Sequence, residues 1–195
     1  MPPLDALFSA SEQRLLGAVL SAPDREYGTL ELLQHMGSSR SAGSALLLRW
    51  VEAGLLRERR VGNQRRLSAN PEFLLYPELR RMALKTIGVA EPLTRALAPL
   101  AGQFSEAFVF GSVAAGVDTS ASDIDLALVG DVDLFQVSPL LDAAQQELGR
   151  QVHASLYSAT EWQATKDPVL TAIRNGPRVD LMEALRDSAK KAAGI

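Results

Sequence analysis

Apolar positions recur along the first half of the chain at helical spacing. Between Ser9 and Leu20 they fall at Leu15, Leu16, Val19 and Leu20, which predicts a helix with Ser11 as its N-cap. The run TLELLQHMG predicts a short second helix, opened by Thr29 and closed by Gly37. SSRSAGSALLLRWVEAGLL predicts a third, capped by Ser38 or Ser39 and ended at Gly54. LLRERRVGNQRRLSAN then holds two short runs around Gly62-Asn63, a strong hairpin-turn signal. PEFLLYPELRRMALKTIGVAEPLTRALAPL predicts one or two connecting helices, with Pro92 as the break. Beyond it strands and helices alternate. AFVF is a strand, a short helix follows Ser112, and DIDLALVG is a second strand. PLLDAAQQELG is a helix and QVHASLY a third strand; ATEWQATKDPVLTAIRNG is helical and interrupted near Pro168. RVDLM is a last strand and EALRDSAKKAAG a polar terminal helix.

Three helices followed by a hairpin is the order of a winged helix-turn-helix, here residues 1–70, and residues 71–100 form a helical connector. Residues 101–195 read as an α/β (α+β) module on a small mixed sheet flanked by helices. With 195 residues there is room for one large or two small domains, and 47% hydrophobic and 22% charged content are ordinary for a globular protein. The absence of cysteine excludes disulfides and thiolate metal sites. The opening MPPLDALFSASEQ lacks a basic region followed by a long apolar run, and no stretch approaches the roughly 20 apolar residues of a membrane span. A soluble, cytoplasmic protein without membrane contact is expected.

The net charge of −3 conceals an asymmetry. Through Gly88 there are 12 Lys/Arg against 9 Asp/Glu, whereas from Val89 onward there are 8 against 14. The basic half is the one to consider against nucleic acid. Its hairpin carries Arg57, Arg59, Arg60, Arg65 and Arg66 against Glu58, a cluster suited to neutralising phosphates. The start of the third helix offers Ser38, Ser39, Arg40, Ser41 and Ser44 for phosphate and base-edge contacts. On the same helix Leu47, Trp50 and Val51 read as core, and Leu46 and Leu48 face away from it. His35 reads as a solvated helix-end residue and Trp162 as a packing anchor. Leu79, Met82, Leu84 and Ile87 on the connector offer apolar surface for a homodimer, expected because winged helices read paired half-sites.

In the acidic half the stretch FGSVAAGVDTSASDIDLALVG joins a strand, a Gly-Ser pair and a strand holding Asp-Ile-Asp. Alternation puts Asp123 and Asp125 on one strand face and Ile124, Leu126 and Leu128 on the other. Residues two apart along a strand lie about 6.6 Å apart. Such a carboxylate pair can converge on one Mg²⁺, completed by water and phosphate oxygens, or hold two ions about 3.5–4 Å apart. Gly111 permits close approach of a phosphate to the backbone and Ser112 adds a hydroxyl.

The run VFGSVAAGVDTSASDIDLAL resembles the signature of the minimal nucleotidyltransferases, relatives of the DNA polymerase β superfamily. The resemblance covers residues 100–185 and implies a mixed sheet flanked by helices. It implies that Gly111 and Ser112 contact phosphate, and that Asp123 and Asp125 hold Mg²⁺ or Mn²⁺ with a nucleoside triphosphate. The stretch WVEAGLLRERRVGNQRRLSANPEF looks like part of the DNA-binding domain that precedes such a module in some prokaryotic proteins. Two positions depart from the family pattern. Ala115 stands where a basic residue is common, and GRQVHASLYS places His153, not a third carboxylate, on the next strand. His153 is a candidate base, and Asp180 is the other acid available to the site. Two readings follow: a DNA-binding regulator with a nucleotide-binding module, or an enzyme moving a nucleoside monophosphate to a protein, RNA or small-molecule hydroxyl. A structural or antitoxin-like partner that uses neither site is a third.

Overall fold

The computed structural model describes residues 3–164 and 167–192, which divide into two compact units at Gly88/Val89. Residues 165–166 of the interrupted helix and 193–194 of the terminal one lie outside the described residues. The boundary falls where the charge balance changes sign. The elements are α1 (Ala10–Ser21), β1 (Tyr27–Gly28), α2 (Thr29–Met36), α3 (Arg40–Glu52), β2 (Leu56–Val61), β3 (Gln64–Ala69) and α4 (Tyr76–Lys85) in the first unit. In the second they are α5 (Ala90–Leu97), β4 (Phe104–Phe110), α6 (Gly111–Ala115), β5 (Ile124–Gly130), α7 (Leu134–Leu148), β6 (Val152–Tyr157), α8 (Ala159–Ala164), α9 (Pro168–Asn175), β7 (Val179–Asp180) and α10 (Met182–Ala192). The fold is mixed α/β with two sheets. No helix among the described residues is long and apolar enough to cross a membrane.

Local chemistry sets the first unit's elements. Ser9, not Ser11, caps α1: it is extended (φ −64, ψ 158), accepts from the Glu12 N–H, and its own N–H donates to the Glu12 carboxylate. That reciprocal box satisfies two donors that a helix start leaves open, whereas Ser11 already lies in the first turn. Ser39 caps α3 through the Ala42 N–H. β2 and β3 form the hairpin across Gly62-Asn63, and β1 adds a third antiparallel strand in the order β1-β3-β2. Leu15, Leu16, Val19, Leu32, Met36, Leu47, Trp50, Leu56 and Leu67 make the core beneath them.

Three expectations change here. Leu46 packs against this core and only Leu48 stays exposed. Leu84 is buried, and Leu79 and Ile87 pack on the N-terminal core as α4 lies along α1, so these three are used within the chain, while Met82 is half-buried. The break in the connector lies at Thr86–Val89, not Pro92, which sits in the first turn of α5, where its missing N–H costs nothing.

The second sheet has the order β6-β5-β4-β7, with β5 antiparallel to β4 and parallel to β6. Its central strand is buried on both faces. Ile124, Leu126 and Leu128 fill one, while Ala127 and Val129, on the same face as Asp125, pack with Phe108 and Trp162. The carboxylate face is thus wet only at its Asp125 end. Trp162 is the anchor over this face: its Nε1–H donates to Glu106 Oε1 at 2.7 Å, and the Arg174 guanidinium stacks 4.9 Å above its ring. The helix before β6 begins at Leu134, earlier than Pro139, because Asp133 and Gln136 form a capping box. Pro139 lies inside it and cannot donate to the Phe135 carbonyl.

Candidate functional site

β4 and β5 run antiparallel with Phe110 opposite Asp125, so the end of β4 delivers Gly111 beside that carboxylate. Gly111 adopts φ +69, and a Cβ built there would lie 2.2 Å from Asp125 Oδ2. Only glycine gives both this left-handed backbone and room for the carboxylate. From it springs α6, five residues long and ended by Gly116 in the left-handed conformation. Ser112 opens that turn and is half-buried. Ala115 is exposed.

Asp123 precedes the first residue of β5, and its side chain is 47% exposed. β6 pairs in parallel with β5, His153 opposite Asp125, and the imidazole Nε2 stands 3.8 Å from Asp123 Oδ2. Asp123, Asp125 and His153 therefore gather at one corner of the sheet, with Gly111 beneath Asp125. Asp180 does not join them. It lies on β7, beyond β4, and its Oδ1 accepts the Met182 N–H at the start of α10.

Two residues that sequence reasoning passed over shape this corner. Asp118 and Arg150 form a salt bridge of 2.9 Å with side chains 0% and 3% exposed. Arg150 Nε also donates to the Ser122 carbonyl at 2.7 Å. Spacing gives no hint of a pair 32 positions apart; the single signal is a cation directly after the helix-ending Gly149 and before an apolar strand. A cleft of about 510 Å³ adjoins Asp123, lined by Ser120, Ser122, Asp142, Gln146 and Gln151 among others.

A hard cation suits the donors present. Mg²⁺ is commonly held by one or two carboxylates with water and phosphate completing its shell, and Asp123 and Asp125 supply that number. The backbone beside Asp125 has no side chain to obstruct a phosphate. No group of three or more His, Asp or Glu side chains placed to hold a metal occurs among the described residues. The donor set therefore matches one ion shared with a ligand better than two held by protein alone.

In the first unit, strand alternation divides the five hairpin arginines. Arg57, Arg59 and Arg66 project from one face and Arg60 and Arg65 from the other, as the Arg59↔Arg66 and Arg60↔Arg65 pairings require. Glu58 is not their sole counter-charge. Arg59 makes a two-pronged contact with Glu26, Arg57 pairs with Glu72 at 2.9 Å, and Arg65 pairs with Glu58 at 2.8 Å. The Arg59 guanidinium holds the Glu26 carboxyl below its ordinary value. Arg60 is exposed and forms no ion pair among the described residues. Ser39, Arg40, Ser41 and Ser44 lie exposed along the start of α3. His35 is exposed, edge-on to Tyr27 at 6.1 Å.

Residues 100–179 match the family model of the nucleotidyltransferase domain. A solved structure described as "Crystal structure of the toxin-antitoxin with AMP-PNP" aligns with 54% of this chain and 84% of its own at 18% identity and a TM-score of 0.37, a likeness too loose to carry anything further. No curated protein matches the chain.

Proposed function

We propose that the chain is a DNA-binding protein, a transcriptional regulator, whose nucleotidyltransferase domain binds Mg-nucleotide. The observation that carries the nucleotide reading is the fit of Asp125 over Gly111, a backbone left bare of side chain beside a carboxylate at the end of the β4–β5 pair. Gly111 and Ser112 contact phosphate, and Asp123 and Asp125 hold the ion, which neutralises phosphate charge. The DNA reading rests on the three-helix, three-stranded order of a winged helix-turn-helix. In it α3 enters the major groove with Ser39, Arg40, Ser41 and Ser44, and the hairpin follows the backbone with Arg57, Arg59, Arg60, Arg65 and Arg66. Two copies would occupy paired half-sites.

A second reading is favoured by His153 standing 3.8 Å from Asp123. There an acceptor hydroxyl oxygen attacks the α-phosphorus of the nucleotide. The bond to the β-phosphate oxygen breaks, pyrophosphate leaves, and the hydroxyl proton passes to the His153 imidazole. The test incubates the protein with each α-labelled nucleoside triphosphate, Mg²⁺ or Mn²⁺ and cell extract, beside Asp123→Ala/Asp125→Ala. Label on an acceptor with wild type alone makes the domain an enzyme. Nucleotide binding without transfer, together with salt-dependent operator binding, supports the regulator. Binding that survives both substitutions overturns the site.

A further inference from the structure

We infer that Arg150 is a positioning residue for Asp123, an inference that rests on the nucleotide-site reading above. Asp123 ends the segment from Val117, which arrives from α6 with few apolar contacts of its own. Val117 is 75% exposed, and Thr119 and Ser122 bond to each other over short range within the segment. Beside the Val117 N–H, which donates to the Ser112 carbonyl at 3.0 Å, an attachment to the rest of the unit runs through the turn between α7 and β6. Gly149 closes α7 with φ +63, which turns the chain so that Arg150 points inward. There its NH1 donates to Asp118 Oδ2 at 2.9 Å and its Nε to the Ser122 carbonyl at 2.7 Å. The next residue completes the hold: the Ile124 N–H donates to the Gln151 carbonyl at 2.9 Å. Asp123 is thereby fixed from both sides, through the carbonyl before it and the amide after it, while its own carboxylate stays open to solvent.

A planar guanidinium suits this task because it presents divergent donors in a fixed fork, and a lysine ammonium does not. A buried ion pair adds little stability over an apolar pair of the same shape, so geometry is what this one supplies. The Arg150 guanidinium bonds to Asp118 and to the Ser122 carbonyl, and so acts through the position of Asp123, as outer-sphere partners of metal ligands do.

The experiment compares the full-length protein with Arg150→Lys and Asp118→Asn, each with and without Asp123→Asn. Mg-ATP affinity is measured by calorimetry, Mn²⁺ affinity by electron paramagnetic resonance, and amide exchange at residues 117–124 by mass spectrometry. Arg150→Lys is expected to speed exchange across that segment and to lower both affinities about 10- to 100-fold. In the Asp123→Asn background it is expected to lower them no further, a dependence that general destabilisation would not produce. Should Arg150→Lys fail to fold, Asp118→Asn carries the same cycle: a loss seen only when Asp123 is intact supports the inference. Equal losses in both backgrounds, or unchanged binding in wild-type background, overturn it while leaving the nucleotide site standing. A wild-type protein that binds no Mg-ATP overturns the nucleotide site and the positioning role together.

Discussion

Gly111→Ala isolates the contact on which the proposed nucleotide site depends. The added methyl would stand 2.2 Å from Asp125 Oδ2 and 3.2 Å from its Cγ, where ordinary contact begins at 3.4 Å. The carboxylate must retreat by about 1 Å, which forces its side chain off its rotamer at roughly 0.5–1.5 kcal/mol. Alanine at φ +69 adds about 1–2 kcal/mol of backbone strain. The total, about 1.5–3.5 kcal/mol, corresponds to a fall of roughly 10 °C or more in the unfolding midpoint of a unit this size. The two costs separate in a double-mutant cycle. Asp125→Ala removes the oxygen and leaves the Asp125 Cβ at 3.5 Å, an unstrained contact. In that background Gly111→Ala retains only the backbone cost, so the cycle should return a coupling of about 1 kcal/mol by chemical denaturation. Calorimetry with Mg-ATP reads the functional half: Gly111→Ala should fall to the level of Asp125→Ala, because the displaced carboxylate no longer faces the ion. A coupling near zero, or Gly111→Ala binding Mg-ATP as wild type does, would refute the reasoning.

Other consequences are open to measurement. Glu26→Gln releases Arg59 from its two-pronged partner; if the hairpin lies on DNA, affinity rises and the slope of log K against log salt steepens by about 0.9, while Arg60→Ala makes it shallower by the same amount. Fluorescence anisotropy across a salt series reads both, and unchanged slopes would take the hairpin out of the interface. The Glu12 carboxyl is held below its ordinary value chiefly by the Ser9 hydroxyl, then by the Ser9 amide and Arg49. Its contribution is therefore complete above the ordinary glutamate value of about 4.3 and is lost as pH falls through the lowered native value. Glu12→Gln should therefore lower stability near neutrality and make less difference at the acid end, as denaturation at several pH values would show. Trp162→Phe keeps the ring on the sheet but loses the bond to Glu106, at about 1–2 kcal/mol by denaturation with Mg-ATP affinity unchanged.

The local signals in the sequence were strong where a single residue decides the outcome. Gly62-Asn63 turns the hairpin because both strands need the tight left-handed corner that glycine supplies. Gly37 and Gly149 end helices for the same reason. Gly111 and the Asp-Ile-Asp run could be read together because each half of that arrangement has a rare backbone or charge requirement. Alternation alone left open what covers the face of Asp125. There Ala127 and Val129 pack against Trp162, an aromatic more than 30 positions away. Asp118 and Arg150 were illegible for a similar reason, since a buried pair is defined by tertiary proximity and leaves no spacing. The hairpin misled in the opposite direction. Five arginines suggest one charged patch, yet the pleat divides them and Glu26, from a different segment, neutralises the most central one.

The same charge distribution bears on what the proposed nucleotide site would need. Between Arg95 and Arg150 the chain contains no lysine or arginine, so the elements that build the corner (β4, α6, the following segment and β5) contribute no cation. The nearest cation along the chain after them, Arg150, is already committed to Asp118 and the Ser122 carbonyl. Ala115 removes the basic residue that the resemblance would place in the loop. A triphosphate approaching Asp123 and Asp125 would meet two carboxylates, with no cation on these elements to offset them. Each such repulsion is worth about 1 kcal/mol in water and several times that where solvent is partly excluded. With no cation on these elements, a divalent ion would supply strong attraction there, and nucleotide and metal are expected to bind as one ligand. Chelation with EDTA should abolish ATP binding, not weaken it, and raising Mg²⁺ at fixed ATP should restore affinity with a stoichiometry of one. Appreciable binding of metal-free ATP would mean that a cation elsewhere in the fold serves the phosphates, and that the corner at Asp125 is not where they lie.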